Sequence, residues 1–256
     1  MATSVAIVTG ASSGIGRAAA LRLACDFTSV VVVARSAGKL NEVGRLIEAE
    51  GGTPLVIHLD LAAPTAAEAV VNATLDRFGR IDALINVAGA VPGIDLFDMT
   101  DDQWNTGLAL KFHGARRLTV RAWSALKASQ GAVVFTSGNA ASMPMAGTAA
   151  VGAINAAIEA MAKAFGERGI EDGVQVNCVS PGAVMTGRRL GMIEKIVSAK
   201  QIDAESAKAA FLKQAGIKRF GSPEEIADLI AFAVSAKAHW MTGTVLRMDG
   251  GEIRSI

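Results

Sequence analysis

The sequence predicts an α/β domain: a doubly wound parallel sheet of seven strands with helices on both faces. Three observations predict it. Short runs rich in Val, Ile and Leu alternate with longer helical patterns along all 256 residues. Most of the strand-like runs are apolar at every position, as strands covered on both faces must be. The first of them, within VAIVTGASSGIG at residues 5–16, breaks through glycines straight into a helical run, the strand–turn–helix corner of an open α/β sheet.

Each element follows in order. Val5 to Val8 forms the first strand, and RAAALRLA continues the first helix. Between them, Gly10 permits a turn that a Cβ would hinder, Gly14 lets the backbone approach a pyrophosphate, and Gly16 lets the helix pack on the strand. Bare N–H groups and the positive end of the helix dipole then face the phosphates. The spacing G-x-x-x-G-x-G is a variant of the dinucleotide fingerprint G-x-G-x-x-G rather than a match to it. A loop that merely turns a βα corner is the competing explanation.

SVVVVA (29–34) and PLVIHLDL (54–61) read as buried parallel strands on either side of the charged helical run AGKLNEVGRLIEAEGG. A helix starting at Pro64 ends near Gly79. IDALINVAG (81–89), GAVVFTSG (131–138), VQVNCVSPG (174–182) and TGTVLRMDGG (242–251) supply four more strands. Thr100-Asp101-Asp102-Gln103 is a capping box opening a helix on which Trp104, Leu108, Lys111, Ala115, Leu118 and Ala122 form one core-facing stripe. A helix from Ala146 to Arg168 is mostly Ala and Gly, and its polar line Asn155, Glu159 and Lys163 predicts one i,i+4 ion pair. Its small residues suit a subunit interface.

Composition bounds the function. With 51% hydrophobic residues the chain can bury one sizeable core, so residues 1–256 read as a single domain. A net charge of +1 gives no field that favours nucleic acid or an anionic membrane. Cys25 and Cys178 read as two buried thiols, not as a disulfide framework or a metal site, which fits a reducing, cytoplasmic compartment. No targeting segment is visible, and nowhere do about 18 apolar residues run uninterrupted.

Several polar groups fall at carboxyl ends of strands, where an open α/β sheet binds ligand. Arg35 follows the second strand, and Ala34 stands where an acid selecting NAD would accept from ribose hydroxyls. A guanidinium there favours a 2′-phosphate, hence NADP(H) over NAD(H), although Arg is also common surface decoration. Asp60 ends the third strand and Asn86-Val87-Ala88-Gly89 the fourth; both can hold adenosine edges, and each can equally cap a turn.

These residues resemble the short-chain dehydrogenase/reductase family, single-domain and Rossmann-like, over nearly the whole chain. TGASSGIG, Asp60-Leu61, NVAG at 86–89, SPG at 180–182 with Thr186, RFGSPEEIA at 219–227 and DGG at 249–251 are similar to that family's motifs in order and spacing. The resemblance implies a nicotinamide dinucleotide, hydride transfer with a small carbonyl or alcohol substrate, and a homotetramer or homodimer. It implies cofactor contacts from Gly10, Ser12, Ser13, Ile15, Asp60, Leu61, Asn86, Gly89, Pro181, Gly182, Val184 and Thr186, the last near the nicotinamide amide. It also implies a stretch at about 183–220 that closes over substrate. That stretch carries eight Lys or Arg against three acids, which suits either an anionic substrate or solvated helix faces, with Arg188 and Arg189 the first to test.

The catalytic centre departs from the family's pattern of Ser, then Tyr, then Lys four residues later, with an Asn on the preceding helix. Ser137 matches, after VVFT, but the chain contains no tyrosine. Gly147 and Val151, or Ala150 and Ile154 in a shifted register, stand at the Tyr and Lys positions, and Lys111 stands at the Asn position. An ammonium in an apolar stripe must find a partner, snorkel to water or lose its proton, so Lys111 is the candidate replacement donor, assisted by Ser137. A Lys whose stem packs and whose head reaches water is the plainer alternative. His113, two residues on, faces away and reads as exposed or at an interface; His58 and His239 read as structural. Two functions therefore stand: an NADP(H)-dependent oxidoreductase with a non-standard centre, or a catalytically silent NADP(H)-binding protein acting as a sensor or inactive subunit.

Overall fold

The computed structural model describes residues 3–255 and contains one seven-stranded sheet in the order β3-β2-β1-β4-β5-β6-β7, parallel throughout. The strands are β1 (Val5–Thr9), β2 (Ser29–Ala34), β3 (Thr53–His58), β4 (Ala83–Asn86), β5 (Ala132–Thr136), β6 (Gln175–Pro181) and β7 (Val245–Met248). The α-helices are α1 (Gly14–Leu23), α2 (Ala37–Ala49), α3 (Ala66–Phe78), α4 (Asp101–Gly107), α5 (Ala115–Ser129), α6 (Ala149–Asp172), α7 (Gly187–Lys200), α8 (Ala204–Ala215) and α9 (Pro223–Ala233).

Residue alternation divides the core in two. Ala6, Val8, Val30 and Val32 face the layer built by Leu23 of α1, Leu40 and Ile47 of α2 and Ile230 of α9. Their neighbours Val5, Ile7, Val31 and Val33 face the opposite layer, with Val70 of α3, Leu118 of α5 and Ile158 of α6. The strand order reverses direction between β1 and β4, and a parallel sheet opens a crevice beyond the carboxyl ends of its strands at such a point. Thr9 closes the floor of that crevice: its hydroxyl donates to the Ile85 carbonyl and accepts from Val87 and Ala88 N–H at 3.0 and 3.1 Å.

Several expectations need correction. PLVIHLDL supplies the edge strand β3, half-buried and exposed at both ends, because β2 is its sole neighbour. Helix α3 begins at Ala66, two residues beyond Pro64, and ends as expected at Gly79, which is left-handed at φ 72. Residues 146–148 form a 3₁₀ turn, so α6 starts at Ala149 and runs on to Asp172. Cys25 is exposed, since α1 stops at Leu23 and the chain turns outward there, whereas Cys178 is buried in β6. His58 and His239 are exposed and His113 is half-buried, edge-on to Phe112 at 5.3 Å.

The largest departure lies between α4 and α5. Thr100 and Gln103 make the expected capping box, but residues Leu108–Gly114 then widen into a π-helix. Glycines bracket the wide turn. A Cβ on Gly107 would stand 3.1 Å from Ile154 Cδ1, and one on Gly114 would stand 2.9 Å from the Leu61 carbonyl oxygen. Their absence lets the turn press against α6 on one side and the loop after β3 on the other, and such π segments are frequent at functional sites.

Candidate active site

The crevice between β1 and β4 is a cleft of about 410 Å³ whose lining includes Gly10, Ser12, Ser13, Gly14, Ile15, Arg35, Asp60, Leu61, Gly89, Leu110, Thr186 and Arg188. At one end the first turn of α1 opens into it. Ser13 precedes that helix without a side-chain cap, and the first turn holds no acidic residue, so the N–H groups and the positive dipole end are free for an anion. Gly10 and Gly14 are left-handed, at φ 66 and 53. A Cβ on Gly10 would stand 3.0 Å from Ala88 Cα, one on Gly14 3.3 Å from Thr186 Cγ2, and one on Gly16 2.2 Å from the Gly10 carbonyl oxygen. Gly10 thus lets the turn pass against Ala88, Gly16 lets α1 pack on the turn, and Gly14 keeps the face toward Thr186 clear, so with its open N–H groups the loop fits a dinucleotide pyrophosphate.

At the other end of the lining, Arg35 lies 3.6 Å from Asp60, both exposed, an ion pair that solvent keeps weak. Four expected contacts lie off the lining. Asn86 is buried and its amide donates to Thr119 Oγ1 at 3.2 Å, toward α5. Pro181 ends β6, Gly182 packs so closely that a Cβ would meet Asp249 Cβ at 2.6 Å, and Val184 is buried in a bridge to Gly221.

Beneath the cleft, the wide turn carries Lys111 to a polar cluster. The Lys111 stem lies along Gly89, where a Cβ would stand 3.0 Å from its Cδ. Its Nζ donates to the Ser137 carbonyl at 3.3 Å and to Asn155 Oδ1. Ser137 Oγ donates to Glu159 Oε1 at 2.7 Å. Loss of hydration, with the Arg188 charge adding to it, pushes the Lys111 ammonium down to about 8, while Glu159 partly offsets both. Burial pushes the neighbouring Cys178 thiol up to about 11, so it stays protonated at neutral pH.

Asn155 and Glu159 are the members that sequence reasoning missed. Their signal was present, two polar residues at i,i+4 on a helix otherwise built from small and apolar groups. It predicts a polar line with one i,i+4 ion pair, Glu159–Lys163. No such pair forms among the described residues; Glu159 turns inward to Ser137, and the Lys163 stem lies over Gly243. Ala150 and Ile154, both buried, belong with Val91 and Met99 to an apolar cluster beside the polar one. Among the described residues no group of His, Cys, Asp and Glu is arranged to hold a metal, and no helix is long and apolar enough to cross a membrane.

Replacing Gly89 with Ala tests how closely Lys111 is held. The added Cβ would stand 3.0 Å from Lys111 Cδ and must displace the stem, and overpacking of that kind costs about 1–3 kcal/mol, so the melting temperature falls. A thermal melt of the variant beside the unaltered protein reads the shift, and an unchanged melting temperature would show that the stem moves aside freely.

Comparison with known proteins identifies the family of this fold. The family profile described as Enoyl-(Acyl carrier protein) reductase matches residues 10–252. The chain is 30% identical to the short-chain reductase protein NovJ of Streptomyces niveus over 248 residues, 97% of this chain and 93% of that one. It is 32% identical to a 3-oxoacyl-[acyl-carrier-protein] reductase of Synechocystis over 253 residues, 97% and 96% of the two chains. Among solved structures, L-sorbose reductase from Gluconobacter frateurii, complexed with NADPH and L-sorbose, superposes with a TM-score of 0.95 at 28% identity, covering 100% of this chain and 98% of that one. The NADPH-dependent reductase YwfH superposes at 0.93 with 27% identity over the full length of both chains. By sequence, sheet order and glycine loop alike, this chain belongs to the short-chain dehydrogenase/reductase family.

Proposed function

We propose that the protein is an NADP(H)-dependent oxidoreductase that interconverts a carbonyl compound and its alcohol, with Lys111 as the proton donor. The observation that carries the proposal is the placement of Lys111: an ammonium lowered to about 8, held by Ser137 and Asn155 against the glycine that lines the cleft. The family resemblance puts Gly147 or Ala150 at its tyrosine position, and a chain with no tyrosine must take its proton elsewhere.

NADPH, when bound, supplies the hydride to the carbonyl carbon. The chain does the rest. Gly10, Ser12, Ser13 and Ile15, with the open turn of α1, hold the pyrophosphate; Thr186 holds the nicotinamide end and Asp60 and Leu61 the adenosine end. An ammonium has three N–H donors and the protein engages two, so we assign the third to the substrate oxygen, which must pass Gly89 to reach it because Lys111 lies beneath the cleft lining and not on it. As that oxygen gains charge Lys111 gives it a proton, and solvent returns one afterwards. Ser137 positions the donor through its carbonyl, while its hydroxyl ties Glu159 into the cluster, where its charge supports the ammonium.

Arg35 beside Ala34 reads the 2′-phosphate, as NADPH in the L-sorbose reductase and YwfH relatives supports. Arg35→Asp removes a charge-assisted contact and adds repulsion, so the NADPH-to-NADH affinity ratio falls by about 10- to 100-fold. Fluorescence titration with both cofactors measures it, and an unchanged ratio assigns the 2′ position to another group. The assembly that suits the small residues of α6 is a homodimer or homotetramer.

The absence of tyrosine favours a second reading, a catalytically silent NADP(H)-binding subunit. Single-turnover mixing of NADPH-loaded protein with diketones, quinones and oxo acids separates the two. Oxidation of NADPH supports the reductase; tight binding with no oxidation supports the silent subunit.

A further inference from the structure

We propose that Arg188 receives a carboxylate of the substrate, so that the carbonyl compound taken by this site is an oxo acid with an apolar body. The inference rests on the reading of the cleft as a site of carbonyl reduction and adds the substrate's class to it.

Arg188 sits in the first turn of α7 and lines the cleft with Thr186 and Gly187. Its Nη2 donates to the Val91 carbonyl. Among the described residues it takes part in no ion pair. Its neighbour Arg189 is disposed differently: that guanidinium lies 4.4 Å above the Phe211 ring, outside the cleft, with Glu252 as a counter-charge. Of two adjacent arginines, one is stacked and balanced while the other is left at the cleft with most of its five N–H donors uncommitted.

The surroundings favour an anion there. Arg188 and Lys111 feel one another's charge, and Glu159, the acid that offsets Lys111, is already bound to Ser137. Desolvation lowers the Arg188 pKa, but an arginine stays charged across the physiological range. The carbonyl that anchors it belongs to Val91, part of the apolar cluster with Met99, Ala150 and Ile154. A ligand in the cleft therefore meets Arg188 as a planar cation and an apolar lining from Val87, Ala88, Ala90 and Leu110, above the buried Lys111 cluster that we assign as its proton donor. That sequence of groups fits a carbonyl oxygen, a hydrocarbon body and a carboxylate, which pairs bidentately with guanidinium. The same guanidinium chemistry could serve a cofactor phosphate, and the test separates the two.

The probes are 4-methyl-2-oxopentanoate and its uncharged methyl ester, titrated calorimetrically into the full-length protein saturated with NADP⁺, where no hydride can be transferred. The unaltered protein binds the acid about 10- to 100-fold more tightly than the ester, the range expected of a charge-assisted pair. In Arg188→Gln the acid falls to the level of the ester, the ester is unmoved, and NADP⁺ affinity stays within about twofold; Arg188→Lys restores part of the preference because it keeps charge without the fork. Equal binding of acid and ester to the unaltered protein, or binding of neither, overturns the proposal. So does a loss of NADP⁺ affinity in Arg188→Gln equal to the loss for the acid, which assigns Arg188 to the cofactor's phosphates. Acid–ester discrimination in a protein that oxidises no NADPH keeps the anion subsite and removes the reductase; reduction of acid and ester with equal KM does the reverse.

Discussion

Lys111→Met lowers the rate of NADPH oxidation by a carbonyl substrate by about 10²- to 10⁴-fold, the usual contribution of general acid–base catalysis, or ~3–5 kcal/mol. Methionine keeps the stem against Gly89 and removes the ammonium that meets Ser137 and Asn155. NADPH affinity stays within about twofold, because the pyrophosphate cradle of Gly10, Gly14 and the α1 turn is untouched. The pH dependence follows from the lowered pKa. Lys111 donates only while protonated, so reduction is fastest below about 8 and declines as pH rises through that value; the reverse oxidation, which needs the neutral amine, gains over the same interval. Single-turnover rates at a series of pH values check both statements, and full activity in the variant would return Lys111 to a packing role.

Gly14→Val weakens NADPH binding by at least about 100-fold, ~2.7 kcal/mol. Two effects combine. A β-branched residue is strained at φ 53, and its Cβ would already stand 3.3 Å from Thr186 Cγ2 before the two methyl groups are placed. Those methyls crowd Thr186, which lines the same cleft. Fluorescence titration with NADPH, with circular dichroism to confirm the fold, reads the loss; unchanged affinity in a folded variant would contradict the assignment of this loop to the pyrophosphate.

The architecture was legible because it is written locally. Apolar runs such as Val30 to Val33 announce strands covered on both faces, and the glycines at 10, 14 and 16 announce a turn that must admit backbone and ligand at once. Part of the cleft lining follows from the rule that ligands meet strand ends, whereas Asn86, Pro181, Gly182 and Val184, also at or just beyond strand ends, lie off it. What was not legible depends on contacts between distant segments. The π turn around Lys111 arises because Gly107 and Gly114 allow contact with Ile154 and Leu61, and no 3.6-residue period records it. Glu159 and Lys163 look like an i,i+4 ion pair in sequence, and only the arrival of Ser137, just after β5, turns the carboxylate inward. Arg188 reaches the Val91 carbonyl across 97 positions of chain. Cys25 follows from the early end of α1, and helix ends are among the least certain features of a sequence pattern.

The central claim is that Lys111 supplies the proton. Its most direct test is the single-turnover oxidation of bound NADPH by an oxo acid, followed from pH 6 to pH 10 in the unaltered protein and in Lys111→Met. The account predicts a rate that falls about tenfold per pH unit above roughly 8 in the unaltered protein, and a slow rate without that break in the variant. A profile with the same break in both proteins would place the donor elsewhere and contradict it.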